Sequence, residues 1–298
     1  MKASVIIPVY NGAPYIAKAI TSVLAQSESG LELIVVDDGS TDGTGDIVRQ
    51  FSDPRIRLIS QENAGPSAAR NHGIAVSSGE WVGFLDSDDS WRPEKLAAHL
   101  RRAAEQPEAG LTYSSVVVTE PDGTFVQMLT AGLEGWVLDR LLFGNVIWGG
   151  GSSVMVRRDV FDRVGPFDPD IKYGEDWEMW LRVAAAYPFA AVAEPLTCRL
   201  ERHESYGKQA EPMRDACLGF LNRAFDSYAA AYESQRAKAV AEVYYRAAIT
   251  LHEAEGRKAA CVDLVRTLWR NPRHKYAYRR LIRLAMSYSG LLTVTPVL

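Results

Sequence analysis

Two aspartates on alternate residues, Asp86 and Asp88, follow the apolar segment Trp-Val-Gly-Phe-Leu. Two carboxylates spaced in this way on a loop can both face one divalent cation, and a hard cation with oxygen ligands also binds a diphosphate. The alternative is structural: Asp89 or Ser90 stands directly before Trp-Arg-Pro and would cap a helix, while the other acids solvate the turn. The spacing alone leaves both interpretations open.

Two further groups have the same double interpretation. Asp37 and Asp38 end an apolar segment, where one carboxylate could accept hydrogen bonds from a nucleobase or a ribose; the alternative is an Asx turn before a helix capped by Asp42. Gly65 would let the backbone approach a ligand, and Arg70 on the following helix could reach a phosphate. The alternative for this second group is a glycine turn that precedes a helix.

The fourth group consists of the acids Glu175 and Asp176, which open a segment with helical periodicity. Acids in the first turn of a helix are stabilised by its dipole, which is a sufficient structural reason for them. The functional interpretation makes one carboxylate a general base toward an acceptor hydroxyl.

Alternating strands and helices must position these groups. The patterns predict strands over 4–9, 31–36, 55–59, 81–85 and 111–118, with helices over 13–27, 42–51, 66–76, 93–105 and 175–187. Continuous apolar strands with short connections predict an α/β fold around a mostly parallel sheet. Ligands of such sheets bind outside the carboxyl ends of the strands, where the polar groups after the first, second and fourth strands fall. That coincidence favours a ligand site over capping alone.

The rest of the chain is predicted to form an acceptor-side half and a helical extension. We expect a catalytic domain over 1–207, with a nucleotide-sugar-binding half at 1–118 and an acceptor-side half at 119–207. Gly149 to Ser153 is expected to be a flexible loop, and 208–298 an all-helical extension.

Composition limits the classes of protein. A net charge of −4 over 298 residues gives no reason to expect a nucleic-acid partner, and three scattered cysteines predict no disulfide framework. No signal-peptide pattern and no apolar run of about 20 residues is present, so we expect a cytoplasmic protein.

Charge is spread unevenly along the chain. From Arg257 onward nine Lys and Arg residues stand against Asp263 alone, which gives the tail +8 and the rest of the chain −12. The tail is interpreted in three ways: a helical cap with a solvated basic face, a dimerisation surface for a homodimer, or a peripheral surface that contacts anionic lipid at the inner membrane face.

The motifs together resemble the large family of inverting GT-A glycosyltransferases of the family 2 type, which includes many bacterial surface-polysaccharide enzymes. The resemblance covers about residues 1–205, and its order and spacing agree throughout. It rests on Pro8-Val-Tyr-Asn11, Val36-Asp-Asp-Gly-Ser-Thr-Asp42, Asn63-Ala-Gly65, Ala69-Arg-Asn71, Phe84-Leu-Asp-Ser-Asp-Asp89 and Gly174-Glu-Asp176.

This resemblance implies roles for individual residues. It places Asp88 at a Mn²⁺ or Mg²⁺ ion on the diphosphate, Asp86 at the ribose or the metal shell, and His203 near the metal. It makes Asp176, with Glu175 beside it, the catalytic base. The residues implied to bind the nucleotide sugar are Pro8, Tyr10, Asn11, Asp37, Asp38, Gly65, Arg70, Asn71, Asp86 and Ser87.

The predicted function is therefore metal-assisted, nonprocessive transfer of one sugar, with inversion, from a UDP, GDP or dTDP sugar to a glycan or lipid-linked acceptor. The Gln-x-x-Arg-Trp signature of processive relatives is absent from the sequence. One alternative is a catalytically silent nucleotide-sugar-binding scaffold, against which the intact set of acids argues. A nucleotidyltransferase is disfavoured because no Arg or Lys follows the first strand until Lys18.

Overall fold

A computed structural model of the chain describes residues 2–201, 210–254 and 257–288. Over these residues a single mixed sheet contains the strands β1 (Ala3–Val9), β2 (Leu31–Asp37), β3 (Ile56–Ser60), β4 (Trp81–Phe84), β5 (Ser90–Trp91), β6 (Leu111–Thr119), β7 (Phe125–Leu129), β8 (Val154–Arg157) and β9 (Phe189–Leu200). The helices are α1 (Ile16–Leu24), α2 (Thr44–Arg49), α3 (Pro66–Val76), α4 (Lys95–Glu105), α5 (Leu138–Leu141), α6 (Arg158–Val164), α7 (Glu175–Ala186), α8 (Ala210–Asp226), α9 (Arg236–Ala254), α10 (Arg257–Arg270) and α11 (Lys275–Tyr288).

The sheet runs in the order β3-β2-β1-β4-β8-β6-β9-β5, with β7 added to β6. The first four strands are parallel, whereas β8 is antiparallel to both of its neighbours, β4 and β6. The predicted α/β class, with helices flanking the sheet and a helical C-terminal part, is confirmed; the antiparallel pairs lie in the half that follows β4.

The central strands form because they are apolar on both faces. Every residue of β1 is buried, and β2 is buried except at Glu32. Such strands need a covering layer on each side of the sheet, and α1 turns Ile16, Ile20 and Val23 toward the same core. Burying this apolar surface fixes the strand ends and hence the loops that follow them.

A crevice opens where β1 and β4 end. Going from β1, the chain adds β2 and β3 on one side and then crosses to place β4 on the other, which makes this the switch point of the sheet. The pairing of β1 with β4 stops at Ile6 and Phe84. Pro8 lies beyond that point and carries no N–H, so it cannot extend the ladder. The loops that follow the two strands border this crevice, and they approach each other at Gly12 and Ser87.

Several local predictions were wrong. Helix α4 begins at Lys95, two residues after Pro93, and the residue that precedes α2 in the N-cap position is Gly43. Asp42 still binds that helix, because its carboxylate accepts the backbone N–H and the hydroxyl of Thr44.

The elements that were missed include β5, β7, β9 and α6. The two residues of β5 are too few to show any periodicity. Strand β9 contains Pro195 and pairs with β6 through irregular register shifts, so it lacks the regular alternation that identifies a strand.

The chain divides into two compact units. The first consists of Met1–Leu141 and Asn145–His203, and the second of Leu142–Gly144 and Glu204–Leu298. In the second unit, helices α8 to α11 surround a small core that includes Leu251, Leu264 and Leu284. Within the described ranges, no helix is both long and apolar enough to cross a membrane.

Two glycines in helices predict opposite effects of the same substitution. A Cβ added at Gly73 in α3 would lie 2.5 Å from Ile6 Cγ2, so Gly73→Ala should destabilise the protein by about 1–3 kcal/mol through overpacking. Gly219 is exposed in α8 with no atom within 4 Å of an added Cβ, so Gly219→Ala should stabilise it by about 1 kcal/mol. Urea denaturation followed by circular dichroism measures both; equal effects of the two substitutions would contradict the packing described for α3.

Candidate active site

A buried arginine joins the acidic groups that the sequence places far apart. Arg70 lies on α3 and is 5% exposed. Its Nη1 donates to Glu175 Oε1 at 2.8 Å and its Nη2 to Asp86 Oδ1 at 2.9 Å. Burial alone lowers the pKa of Arg70, but the charges of Asp86 and Glu175 raise it above its ordinary value, so the guanidinium stays charged. The structure thus brings together the loop after β4, the start of α7 and the predicted phosphate-reaching arginine.

Asn71, next to Arg70, holds a loop of the same site. Its amide nitrogen donates to the Phe167 carbonyl at 2.8 Å, and its amide oxygen accepts the Phe167 N–H at 2.9 Å. The Phe167 ring lies 5.5 Å from the Arg70 guanidinium carbon. Both polar atoms of the Asn71 side chain are therefore bound to the Phe167 backbone. Asn71 contributes to the site by holding this loop, not by facing the crevice.

Asp176 has an environment suited to a base. Asn145 Nδ2 donates to Asp176 Oδ2 at 2.9 Å, and the Trp177 N–H donates to Oδ1 at 2.7 Å. Burial, followed by the charge of Glu175, raises the pKa of Asp176 to about 6, while the Trp177 N–H and Arg70 act in the opposite direction. A carboxylate with this pKa is ionised at neutral pH and accepts a proton more readily than an exposed aspartate.

The turn between Gly149 and Ser153 forms the floor between the two acidic groups. We expected a flexible loop here, and this was wrong: Gly150–Ser153 is a 3₁₀ helix whose last three residues are buried. A Cβ added at Gly150 would lie 3.5 Å from Asp176 Oδ2 and 3.9 Å from Asp86 Oδ2. The carboxylates of Asp86 and Asp176 therefore converge on the same turn, where only a glycine leaves the space between them open.

Hydrogen bonds to neighbouring residues of the core fix this turn. Ser152 Oγ accepts the Asp86 N–H at 3.0 Å, and the Ser152 carbonyl accepts the Trp91 indole N–H at 2.8 Å. Lys95 is fully buried, and its amine donates to the Ser153 carbonyl at 3.0 Å; burial lowers the pKa of this lysine well below its usual range. The floor is consequently a rigid part of the core, supported by polar residues that carry no local signal in the sequence.

The predicted nucleotide side is built around Asp38, which is 3% exposed. Its carboxylate accepts hydrogen bonds from Gln61 Nε2 at 2.7 Å, from the Ala64 N–H at 3.0 Å and from the Gly65 N–H at 2.8 Å. These bonds fix the loop that leads into α3. Gly65 has a positive φ of 90°, and an added Cβ would meet nothing within 4 Å, so its backbone borders open space.

The loop after β1 forms the other side of this pocket. Asn11 adopts a left-handed φ of 51°, its N–H donates to Ser40 Oγ, and its side-chain oxygen accepts the Thr41 N–H, both at 2.9 Å. The neighbouring Tyr10 is 55% exposed, which leaves its ring available to a ligand.

Two more of the predicted nucleotide-binding residues lie close by. Asp37 Oδ1 accepts the Ser40 N–H at 2.9 Å. Ser87 Oγ would lie 3.1 Å from a Cβ at Gly12, which places the start of the aspartate loop against the loop after β1.

The chemistry of the acids also fits a divalent cation. Asp86 and Asp88 are partly exposed, whereas Asp89 is buried beneath them and its carboxylate accepts the Leu200 N–H at 3.0 Å. Burial and then the charges of Asp86 and Asp88 raise the pKa of Asp89 well above its usual range.

A cage made by protein side chains alone is not seen. Within the described residues, no group of three or more His, Cys, Asp or Glu side chains is arranged to hold a metal. His203 lies outside the described residues. Two hard carboxylates suit an ion such as Mg²⁺, which keeps waters and shares substrate phosphates instead of filling its shell from protein.

One site residue had no signal in the sequence. Asn145 is separated from Asp176 by 31 positions and stands in no recognisable motif, so only the folded chain reveals their contact.

The fold and site define a GT-A type protein with a carboxylate-lined crevice at the switch point of its sheet. S. aureus TarS, residues 1–349, has the same fold: the structures match with a TM-score of 0.68 at 18% identity, over 100% of this chain and 94% of the TarS 1–349 chain. The model for "Glycosyl transferase family 2" matches residues 4–165, and the chain belongs to that family.

Relatives in sequence agree. The putative teichuronic acid biosynthesis glycosyltransferase TuaG of Bacillus subtilis is 35% identical over 181 residues, which cover 60% of this chain and 70% of TuaG. The succinoglycan biosynthesis protein ExoO of Rhizobium meliloti is 34% identical over 183 residues, which cover 58% of this chain and 52% of ExoO. The chain thus spans about half to seventy per cent of the length of these relatives.

Removing the charge of Arg70 should destabilise the protein. Arg70→Met leaves Asp86 and Glu175 without their shared cation, and we expect a loss of about 2 kcal/mol, less than for a fully buried pair because Asp86 is partly exposed. Urea denaturation measures this, with the charge-retaining Arg70→Lys as control. An equal loss in the two variants would contradict the assignment.

Proposed function

We propose that this chain is a nonprocessive, inverting glycosyltransferase that moves one sugar from a nucleoside diphosphate sugar to a hydroxyl acceptor. The observation that carries the proposal is the convergence of Asp86 and Asp176 on Gly150, at distances of 3.9 and 3.5 Å from an added Cβ. This arrangement supports the proposal because Asp86, which we propose to lie near the diphosphate, and Asp176, a carboxylate of raised pKa, approach the same turn. A donor sugar and an acceptor hydroxyl can meet between them.

The proposed reaction is a single displacement. Asp176 accepts the proton of the acceptor hydroxyl while that oxygen forms a bond to the anomeric carbon, and the bond from this carbon to the diphosphate oxygen breaks with its electron pair. Attack from the face opposite the leaving group inverts the anomeric configuration. Asn145 holds the carboxylate in place, and Arg70 keeps Glu175 paired so that Asp176 performs the proton transfer.

The cofactor in this proposal is Mn²⁺ or Mg²⁺, held by Asp88 and Asp86. When bound, such an ion offsets the charge that develops on the leaving diphosphate. The chain itself contributes these two carboxylates and, through Ser152, the fixed backbone of Asp86.

The donor and acceptor are proposed from the relatives. TarS has been crystallised with UDP and with UDP-GlcNAc, and a uridine nucleotide is therefore our first choice over GDP and dTDP. TuaG and ExoO are named for teichuronic acid and succinoglycan biosynthesis, which supports a glycan or lipid-linked acceptor of bacterial polysaccharide assembly. A homodimer and a location at the inner face of a membrane stay predictions.

Donor binding tests the proposal directly. UDP should raise the melting temperature, more strongly with Mn²⁺, and calorimetry should give a dissociation constant weakened at least about tenfold by Asp88→Ala. GDP and dTDP are compared under the same conditions, and Asp176→Asn is the matched control that should bind UDP normally. If no nucleotide stabilises the protein with either ion, the proposed donor site is wrong, whereas binding of a nucleotide without sugar transfer would favour the catalytically silent nucleotide-sugar-binding scaffold.

Stereochemistry and the base are tested together. NMR of the product should show the anomeric configuration opposite to that of the donor. Asp176→Asn should lower kcat about 10²–10⁴-fold, because an amide cannot take up the proton, while donor affinity stays unchanged. A product that keeps the configuration of the donor would refute single displacement.

The pH dependence follows from Asp176. The base must be unprotonated, so kcat/KM should be low in acid and rise through an apparent pKa of about 6. Asn145 donates to the charged carboxylate and stabilises it, so Asn145→Ala should move this acidic limb to higher pH. Glu178→Gln is the control on the same helix: Glu178 is paired with Arg182, and its removal should leave the limb in place. An unmoved limb in Asn145→Ala would argue against Asp176 as the titrating group.

A further inference from the structure

Helix α10 in the second unit has two apolar faces instead of one. Ala260 and Leu264 are fully buried in the helical core. On the opposite side, Val262, Val265 and Trp269 are 51%, 57% and 78% exposed. Their spacing of three and four residues aligns them along one stripe of the helix. Contact with water alone does not explain why apolar side chains line the exposed side of the helix.

Helix α11 continues the pattern. Tyr278 and Ile282 follow each other at a spacing of four residues and are 46% and 55% exposed, whereas Ala277 and Leu284 pack into the core. We call the exposed surface of α10 and α11 the outer face.

Basic side chains accompany the apolar residues of the outer face. The exposed cations are Lys258, Arg266, Lys275, Arg279 and Arg283. The acid that the sequence places in this segment, Asp263, is fully buried and paired with Arg214 at 2.9 Å and Arg266 at 2.8 Å. The outer face therefore presents positive charge without an exposed carboxylate of its own segment.

One arginine of this segment, Arg270, lies against two aromatic rings. The guanidinium carbon of Arg270 lies 4.6 Å from the centre of the Tyr244 ring and 5.1 Å from that of Trp269. Among the described residues no carboxylate forms an ion pair with Arg270. Its Nη1 donates to the Arg266 carbonyl at 3.5 Å, and the two rings hold the guanidinium where its other N–H groups can bind an anionic oxygen.

We propose that the outer face docks on a membrane surface rich in anionic phospholipid. An exposed tryptophan and aliphatic side chains insert at the headgroup level, and flanking Lys and Arg residues bind the negative headgroups. A nucleic acid matches the charge but not the aliphatic stripe. A second copy is disfavoured because a two-fold contact through this face would set like charges against each other.

The inference extends the proposed lipid-linked acceptor, but its test is independent of sugar transfer. The full chain is sedimented with vesicles of phosphatidylcholine alone and of phosphatidylcholine with 30% phosphatidylglycerol, a composition chosen for about −30 mV of surface potential. We expect binding only to the anionic vesicles, decreasing with added salt. Val265→Ser with Trp269→Ser, and separately Arg279→Glu with Arg283→Glu, should each weaken binding at least about tenfold.

Control variants distinguish binding through the outer face from nonspecific binding to vesicles. Trp136, 66% exposed in the first unit, supplies the matched variant Trp136→Ser, which should bind vesicles as the unaltered chain does. Circular dichroism of each variant verifies the helices. Equal binding to both vesicle types, or unchanged binding by both double variants, would overturn the proposal. A dimer of the unaltered chain on gel filtration that is lost in the Trp269 variant would also overturn the proposal. Tight binding to duplex DNA without binding to vesicles would overturn it as well.

Discussion

The charge of Arg70 is the constraint on which the catalytic unit depends. A guanidinium that is almost completely buried is stable only with opposite charges at hydrogen-bond distance, and the chain supplies Asp86 and Glu175 for this. Helix α3, the loop after β4 and the first turn of α7 must therefore meet at one point. The ring of Phe167 covers the same cation, and Asn71 holds that ring's backbone. The geometry of the crevice follows from satisfying this one charge.

Two adjacent acids acquire different properties from this arrangement. Glu175 forms the ion pair with Arg70, whereas Asp176 accepts a neutral amide hydrogen bond from Asn145 and has its pKa raised by burial. Glu175 is therefore engaged by a cation, whereas Asp176 is the carboxylate that we propose as the base. The glycine floor allows this, because a side chain at Gly150 would occupy the space between Asp176 and Asp86.

The two units concentrate opposite charges. The first unit gathers carboxylates at the strand ends, whereas the charged groups that the described helices from Arg257 expose are basic. This contrast agrees with the two ligands that we propose, a metal–diphosphate complex and an anionic surface. The net charge of the whole chain, −4, does not show this contrast. Local charge is therefore the more informative quantity for this protein.

The sequence by itself determined the alternation of strands and helices over the first hundred residues, since apolar runs and the 3.6-residue period are local signals. It also placed the acids at strand ends, and the family follows from those motifs. Only the tertiary structure decided that Arg70 bridges two carboxylates, that Asn145 holds Asp176, and that Gly150–Ser153 is a buried floor. The contacts involved join residues up to 105 positions apart. Such contacts leave no periodic pattern in the chain, because they arise only when the buried sheet brings its loops to one edge.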